Sequence, residues 1–361
     1  MHSNWTLFKS LCRVIGGQDS NALAQAQERG LLTQLVAMAS QQDVLPALAM
    51  RIDEDIEITE ALDEPERGLL QQALQGNTRR NMQTVMQALK LTRVLNGAGI
   101  TPTFLKGTAQ LLTVNETRLG FRKQLDIDLV VAPPELYAAC AALLEAGYGF
   151  YREAKSADSE PVVFHDVKQA LRESAAHHHV TPLVIDGYAS CVEVHRHFLA
   201  RQFHRKIPLQ DLLSTARQHQ NYGATFRVPS AEYQNIHIVL GKMVYDGHLA
   251  RRSFPIREAC DYIELMESEK GEIDRGLVTQ HCGENYATFS QLVRELMAYR
   301  NKEEIDTSST ISRRLQLMEK RYNSGTIAKL LDAHARVLYL GKEMLYSPAK
   351  ITAYTQRLGR G

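Results

Sequence analysis

Leu125-Asp126-Ile127-Asp128-Leu129-Val130-Val131 alternates acidic and apolar side chains before turning wholly apolar. A period of two is the pattern of a β-strand with one polar face, so the carboxylates of Asp126 and Asp128 are expected to project from the same side. Pro133-Pro134 closes the strand, and residues 135–146 read as a helix stopped by Gly147. Upstream, Ile100-Thr101-Pro102-Thr103-Phe104-Leu105 is short, β-branched and apolar, and it runs through Lys106-Gly107-Thr108 into residues that suit the first turns of a helix. Downstream, two more strands are expected at 179–185 and 191–198, joined through the hairpin dipeptide Asp186-Gly187. In the second of these, Val192 and Val194 face the core while Glu193 and His195 share the opposite face.

On either side of this α/β stretch the pattern is helical. Leu31, Leu32, Leu35, Val36 and Met38 group on one face, and Met82, Val85, Met86 and Leu89 recur at i, i+3, i+4 and i+7. Gly97 and Gly99 bracket the stop of that second helix. Beyond Arg201 the chain reads as helix again, with faces at Ile236, Val239, Leu240, Met243 and Val244, at 256–266 and at 327–345. The tail from 350 to 361 is mildly basic and expected to fray.

The 361 residues carry 42 Lys plus Arg against 41 Asp plus Glu, a net charge of +1, which argues against a surface built as a whole to hold nucleic acid. Five scattered cysteines with no CxxC pair suit a reducing compartment. The first ten residues show no signal pattern, and no run of eighteen apolar residues exists to span a bilayer. A cytoplasmic protein with no membrane partner is expected.

The paired carboxylates suit hard divalent cations, which take oxygen ligands and substrate phosphates together. Glu193 completes a three-acid set as ligand or general base. Gly107 permits close backbone approach at a helix start, where free N–H groups attract phosphate, while Lys106 offers a charge and Thr108 a hydroxyl. His177-His178-His179 reads as a polar strand entrance, because adjacent strand residues alternate faces; only His177 and His179 fall on one side. Tyr233, Tyr245 and Tyr262 sit at core-like helical spacing, and Arg251, Arg252 and Arg257 on a solvated helix face.

Gly99-Ile-Thr-Pro-Thr-Phe-Leu-Lys-Gly107, Gly120-Phe-Arg122, the Asp126-Ile-Asp128 strand and Val192-Glu-Val-His195 together resemble a bacterial nucleotidyltransferase family marked by LKG, an arginine before DxD, and a later E-x-H strand. That family is similar in turn to the polymerase-β-like superfamily. Residues 43–48, 77–95 and 236–265, with Asp261, extend the likeness into the flanking helices, and Lys123-Gln124-Leu125 departs from the family's approach to the DxD strand. The resemblance implies an α+β fold: a polymerase-β-like core with a small mixed sheet at 99–204, flanked by helical regions at 1–98 and 205–361. It implies transfer of an NMP from an NTP, ATP first, to a hydroxyl of a small molecule or protein. The alternatives on the same fold are a non-catalytic nucleotide- or protein-binding regulator and an RNA-directed, toxin-like transferase. Asp126, Asp128 and Glu193 would bind Mg²⁺ or Mn²⁺ and carry catalysis; Lys106, Gly107, Thr108, Arg122 and His195 would contact the nucleotide. Asn at both 126 and 128 is expected to abolish transfer with the melting temperature near wild type.

Overall fold

The computed structural model describes residues 3–113, 116–153, 160–269, 273–299 and 308–346; the tail expected to fray at 350–361 lies outside them. The chain divides into two units. One, residues 1–79, 115–123 and 238–339, is helical; the other, residues 80–114, 124–237 and 340–361, holds all of the strands described. The architecture is α+β, with helices before and after one mixed sheet, as the sequence predicts.

The strands are β1 (Thr103–Phe104), β2 (Asp126–Val130), β3 (Gly149–Arg152), β4 (Val162–Phe164), β5 (Leu183–Val184), β6 (Cys191–His195), β7 (Arg217–Asn221) and β8 (Ala224–Val228). Their order is β4-β3-β5-β6-β2-β1-β8-β7. β2 lies at the centre, antiparallel to β1 and parallel to β6. The β5–β6 hairpin forms as expected, with Gly187 in its turn at φ +83°. Period two then sorts the centre of the sheet: Ile127, Leu129, Val192 and Val194 are fully buried in the apolar cluster with Ala88, Leu91 and Leu95 of the long helix Glu64–Gly97.

Two expectations are corrected. The stretch after Arg201 is not wholly helical, because β7 and β8 form an antiparallel pair that adds to the sheet next to β1. On the long helix, Leu89 is buried in the core and Val85 packs against it as expected, but Met82 and Met86 of the same stripe are exposed at 51% and 61%. The buried face also carries Thr84 and Gln87, which bond Ser190 just before β6: Thr84 Oγ1 pairs with Ser190 Oγ at 2.8 Å and Gln87 Nε2 donates to Ser190 O at 3.0 Å. Buried polar groups must be hydrogen-bonded, and here the bonds fix the entry of β6 against the helix. The helix stops where the glycines predict. Gly99 turns left-handed at φ +75°, and the Ile100 N–H returns to Leu95 O at 2.9 Å.

The helical unit has its own core. Leu31, Leu32, Leu35, Val36 and Met38 are buried as read from their spacing. Phe8 stacks on Tyr322 with ring centroids 4.0 Å apart, and Tyr262 meets Phe289 edge-on. Tyr262 is fully buried packing, as expected. Among the described residues no helix is long and apolar enough to cross a membrane.

Candidate functional site

The site is built on β2, β6 and the turn after β1. In the parallel β2–β6 register Asp126 pairs with Cys191, Asp128 with Glu193, and Val130 with His195. Parallel pairing at matched parity puts Asp126, Asp128, Glu193 and His195 on one face of the sheet, opposite the valines and leucine that fill the core.

Asp128 is the centre of the cluster and is 1% exposed. Its Oδ1 accepts from Lys106 Nζ at 2.5 Å and from His195 Nε2 at 2.7 Å. His195 Nε2 also stands 3.5 Å from Glu193 Oε2. Its Nδ1 is buried with no hydrogen-bond partner among the described residues. A carboxylate accepts only, so Nε2 carries the proton shared with Asp128, and this bond fixes the orientation of the ring.

Lys106 opens its helix (Lys106–Thr113) with φ +53°, a left-handed conformation that a side-chain-bearing residue adopts at a cost. The sequence places conformational freedom at Gly107; in the structure the left-handed residue is Lys106. The neighbouring backbone is stitched to β2. The Leu105 N–H donates to Asp128 O at 2.9 Å, and the Asp128 N–H donates to Thr108 Oγ1 at 3.1 Å. Thr108 is thus buried, with its hydroxyl turned to the DxD strand. Thr108→Val is expected to leave the Asp128 N–H without its acceptor and cost about 1–3 kcal/mol, with Thr108→Ser restoring most of it. Urea unfolding of the two variants checks this, and equal stabilities would refute it.

Asp126 lies one step out on the same face. Gln124, 3% exposed, donates from Nε2 to Asp126 O at 2.6 Å and to its Oδ1 at 3.2 Å. Sequence reasoning missed Gln124 as a site residue, although its parity with 126 and 128 was the available signal. Arg122 belongs to the helical unit, where its Nε donates to both oxygens of Asp261 at 2.9 and 3.1 Å.

The histidine triplet adds to the cluster. His179 forms a bridge with His195, and Arg196 N–H to His178 O at 2.7 Å with Val180 N–H to Val194 O at 2.8 Å pins this segment along β6. His179 Nε2 is 3.9 Å from Glu193 Oε1. The His178 ring lies 5.3 Å from that of His195 and 4.8 Å from that of His179.

Electrostatics follow from crowding charge in a buried place. Burial opposes ionisation of Asp128, but Lys106 and the His195 hydrogen bond outweigh it and hold the carboxyl well below its usual range. Glu193 is also lowered: burial raises it, while the His195 hydrogen bond and His179 bring it down further. Burial would lower Lys106, yet Asp128 and Glu193 push it above the ordinary lysine value. Burial depresses His178 and His179, so both favour the neutral ring.

One ligand atom each from Asp128, Glu193 and His195 lies within 4.8 Å of the others. Two ligands across an ion at about 2.1 Å stand about 4.2 Å apart, so small side-chain adjustments bring this set to bonding distance. The two carboxylates supply the hard oxygens that Mg²⁺ takes. His195, with its Nε2–H directed at Asp128, suits an orienting role better than ligation.

A family described as "Uncharacterised nucleotidyltransferase" matches residues 32–289 of the chain. The protein belongs to this nucleotidyltransferase family, and its mixed sheet with flanking helices is consistent with that assignment. Comparison with curated proteins and with solved structures gave no match.

Proposed function

We propose that the protein transfers a nucleoside monophosphate from an NTP to a hydroxyl acceptor and releases pyrophosphate, on a polymerase-β-like core. One observation carries this reading: in a member of a nucleotidyltransferase family, the parallel β2–β6 register sets Glu193 directly beside Asp128, on the same sheet face as Asp126. A bound Mg²⁺ or Mn²⁺ would neutralise the triphosphate and polarise its α-phosphate. Asp128 and Glu193 would hold the cation, with Asp126 completing the acidic set from the outer end of β2.

The chain's own residues have distinct tasks in this reading. Gln124 turns the Asp126 carboxylate, and His195 fixes Asp128. Glu193, at 18% side-chain exposure, is the more open of the two central acids and is suited to take the proton of the acceptor hydroxyl. The acceptor oxygen attacks the α-phosphorus in line, the bond to the bridging oxygen breaks, and pyrophosphate leaves. Lys106, which balances Asp128 in the described state, would shift its ammonium to the β- and γ-phosphates. The backbone at Gly107 would approach them, and Thr108 would act through the β2 backbone it caps. Arg122, bound to Asp261, would support the loop before β2 rather than touch phosphate.

The test is incubation with each α-labelled NTP and Mg²⁺ or Mn²⁺, alone and with cell extract. The wild type should label an acceptor and release pyrophosphate, with ATP preferred. Glu193→Gln should slow transfer by about 10²–10⁴-fold, the usual contribution of a general base, with little change in unfolding temperature. Binding of NTP without pyrophosphate release over long incubation would contradict the reading.

A further inference from the structure

Glu193 is bracketed by two imidazoles that are not equivalent. Its Oε2 faces His195 Nε2 at 3.5 Å, and its Oε1 faces His179 Nε2 at 3.9 Å. The His195 Nε2 proton is committed to Asp128 at 2.7 Å. In His179 the roles of the nitrogens are reversed, because Nδ1 lies 2.8 Å from Val180 O. A carbonyl oxygen only accepts, so Nδ1 carries the proton and Nε2 of the neutral ring keeps its lone pair, 3.9 Å from Glu193 Oε1. Metal-binding histidines are commonly oriented in this way, by an N–H to a backbone carbonyl that fixes the tautomer and aims the other nitrogen.

The separation points the same way. At 3.9 Å the His179–Glu193 approach is too long for a hydrogen bond, so the pair is not simply a closed imidazolium–carboxylate contact. It lies inside the roughly 4.2 Å that two ligands of one ion can span. The His179–His195 bridge and the Val180 N–H to Val194 O bond hold the backbone of this segment to β6, so the nitrogen is carried on a fixed element.

We propose that His179 Nε2 and Glu193 Oε1 form a nitrogen–oxygen pair that ligates a divalent cation, making the site prefer a first-row transition ion such as Mn²⁺ to Mg²⁺. The reason is ligand character: Mg²⁺ favours oxygen and water, whereas imidazole nitrogen adds affinity for transition ions. This deepens the proposed function, since it rests on Glu193 being a metal-binding carboxylate. His178, packed against both rings, shapes the pair without joining it.

The experiment titrates the full-length protein with Mn²⁺, following the free ion by electron paramagnetic resonance. Mg²⁺ affinity is obtained by competition, and the bound Mn²⁺ is read by electron spin echo modulation for nitrogen. The wild type should bind Mn²⁺ more tightly than Mg²⁺ and show coupling to one imidazole nitrogen, which changes when the histidines carry ¹⁵N. His179→Gln should abolish that coupling and weaken Mn²⁺ binding by about 10-fold or more, with Mg²⁺ affinity changed less than about 2-fold. The ¹⁵N comparison needs no variant and so stands even if His179→Gln folds poorly. Bound Mn²⁺ without nitrogen coupling, or a substitution that alters both ions alike or neither, would overturn this inference and leave the carboxylate site intact. No binding of either ion by the wild type would overturn both.

Discussion

Asp128→Asn should lower nucleotidyl transfer by roughly 10³-fold, since the several kcal/mol that a bound cation supplies depends on this carboxylate. It should also destabilise the fold. Asp128 is 1% exposed and accepts from both Lys106 Nζ and His195 Nε2, so asparagine takes from the lysine ammonium its hydrogen-bonded counter-charge and leaves Glu193 and Asp126 as the acids still acting on it. Breaking a fully buried pair costs about 3–5 kcal/mol; the Lys106 side chain retains 22% exposure, so water relieves part of this and about 2 kcal/mol is expected. This burial replaces the sequence-based expectation of an unchanged melting temperature for asparagine at 126 and 128. Adding Lys106→Met removes the charge left without that partner and should recover at least half of the lost stability while transfer stays at its lowered level or below. Urea unfolding and labelled-NTP assays on both variants decide this. Full stability and full transfer in Asp128→Asn would refute the assignment.

Arg122→Ala should have the larger effect on stability. Arg122 and Asp261 are 12% and 6% exposed at their side chains, and removal of the guanidinium leaves Asp261 buried without its ion-pair partner. A loss of about 3–5 kcal/mol is expected near neutral pH. Its pH dependence has a definite sign. Burial already raises Asp261 above the usual carboxylate range despite Arg122, and loss of Arg122 raises it further. A carboxyl with a raised folded value binds its proton more tightly when folded, so its stability is greatest below the unfolded value and is lost as pH rises through the folded one. Glu258 contributes nothing in that range: burial raises it, but Arg257, Lys242 and Arg122 hold it at about 2, so its share of the wild-type advantage is constant above the ordinary glutamate range and fades only below it, and the change near neutral pH belongs to Asp261. The deficit of Arg122→Ala should therefore shrink between pH 7.5 and pH 5. A deficit independent of pH would show that lost packing, rather than stranded charge, is responsible.

The central acids were legible because strand alternation is strict: a one-residue slip would have put Asp126 and Asp128 into the core. The neighbour of β2 was not legible, since pairing between residues 126–130 and 191–195 depends on topology rather than on either segment's period. β8 carried a readable signal in its burial alternation, but β7, Arg217-Gln-His-Gln-Asn221, is an edge strand with no apolar side chain to give one. The methionine stripe of the long helix misled because its buried face is partly polar, matched to Ser190 across more than a hundred residues. Arg122 was conspicuous beside the DxD strand, yet its partner Asp261 is 139 residues away. The lone pair of His179 followed from no spacing rule; it emerges only when Nδ1 is seen on Val180 O.

The most direct test of the account is a crystal of the protein grown with Mn²⁺ and a non-hydrolysable NTP analogue, examined by anomalous scattering. A manganese peak is expected within about 2.5 Å of carboxylate oxygens of both Asp128 and Glu193, with Lys106 Nζ moved off Asp128 toward the phosphates. Analogue bound elsewhere, with no peak at these acids and the Lys106–Asp128 pair still closed, would contradict it.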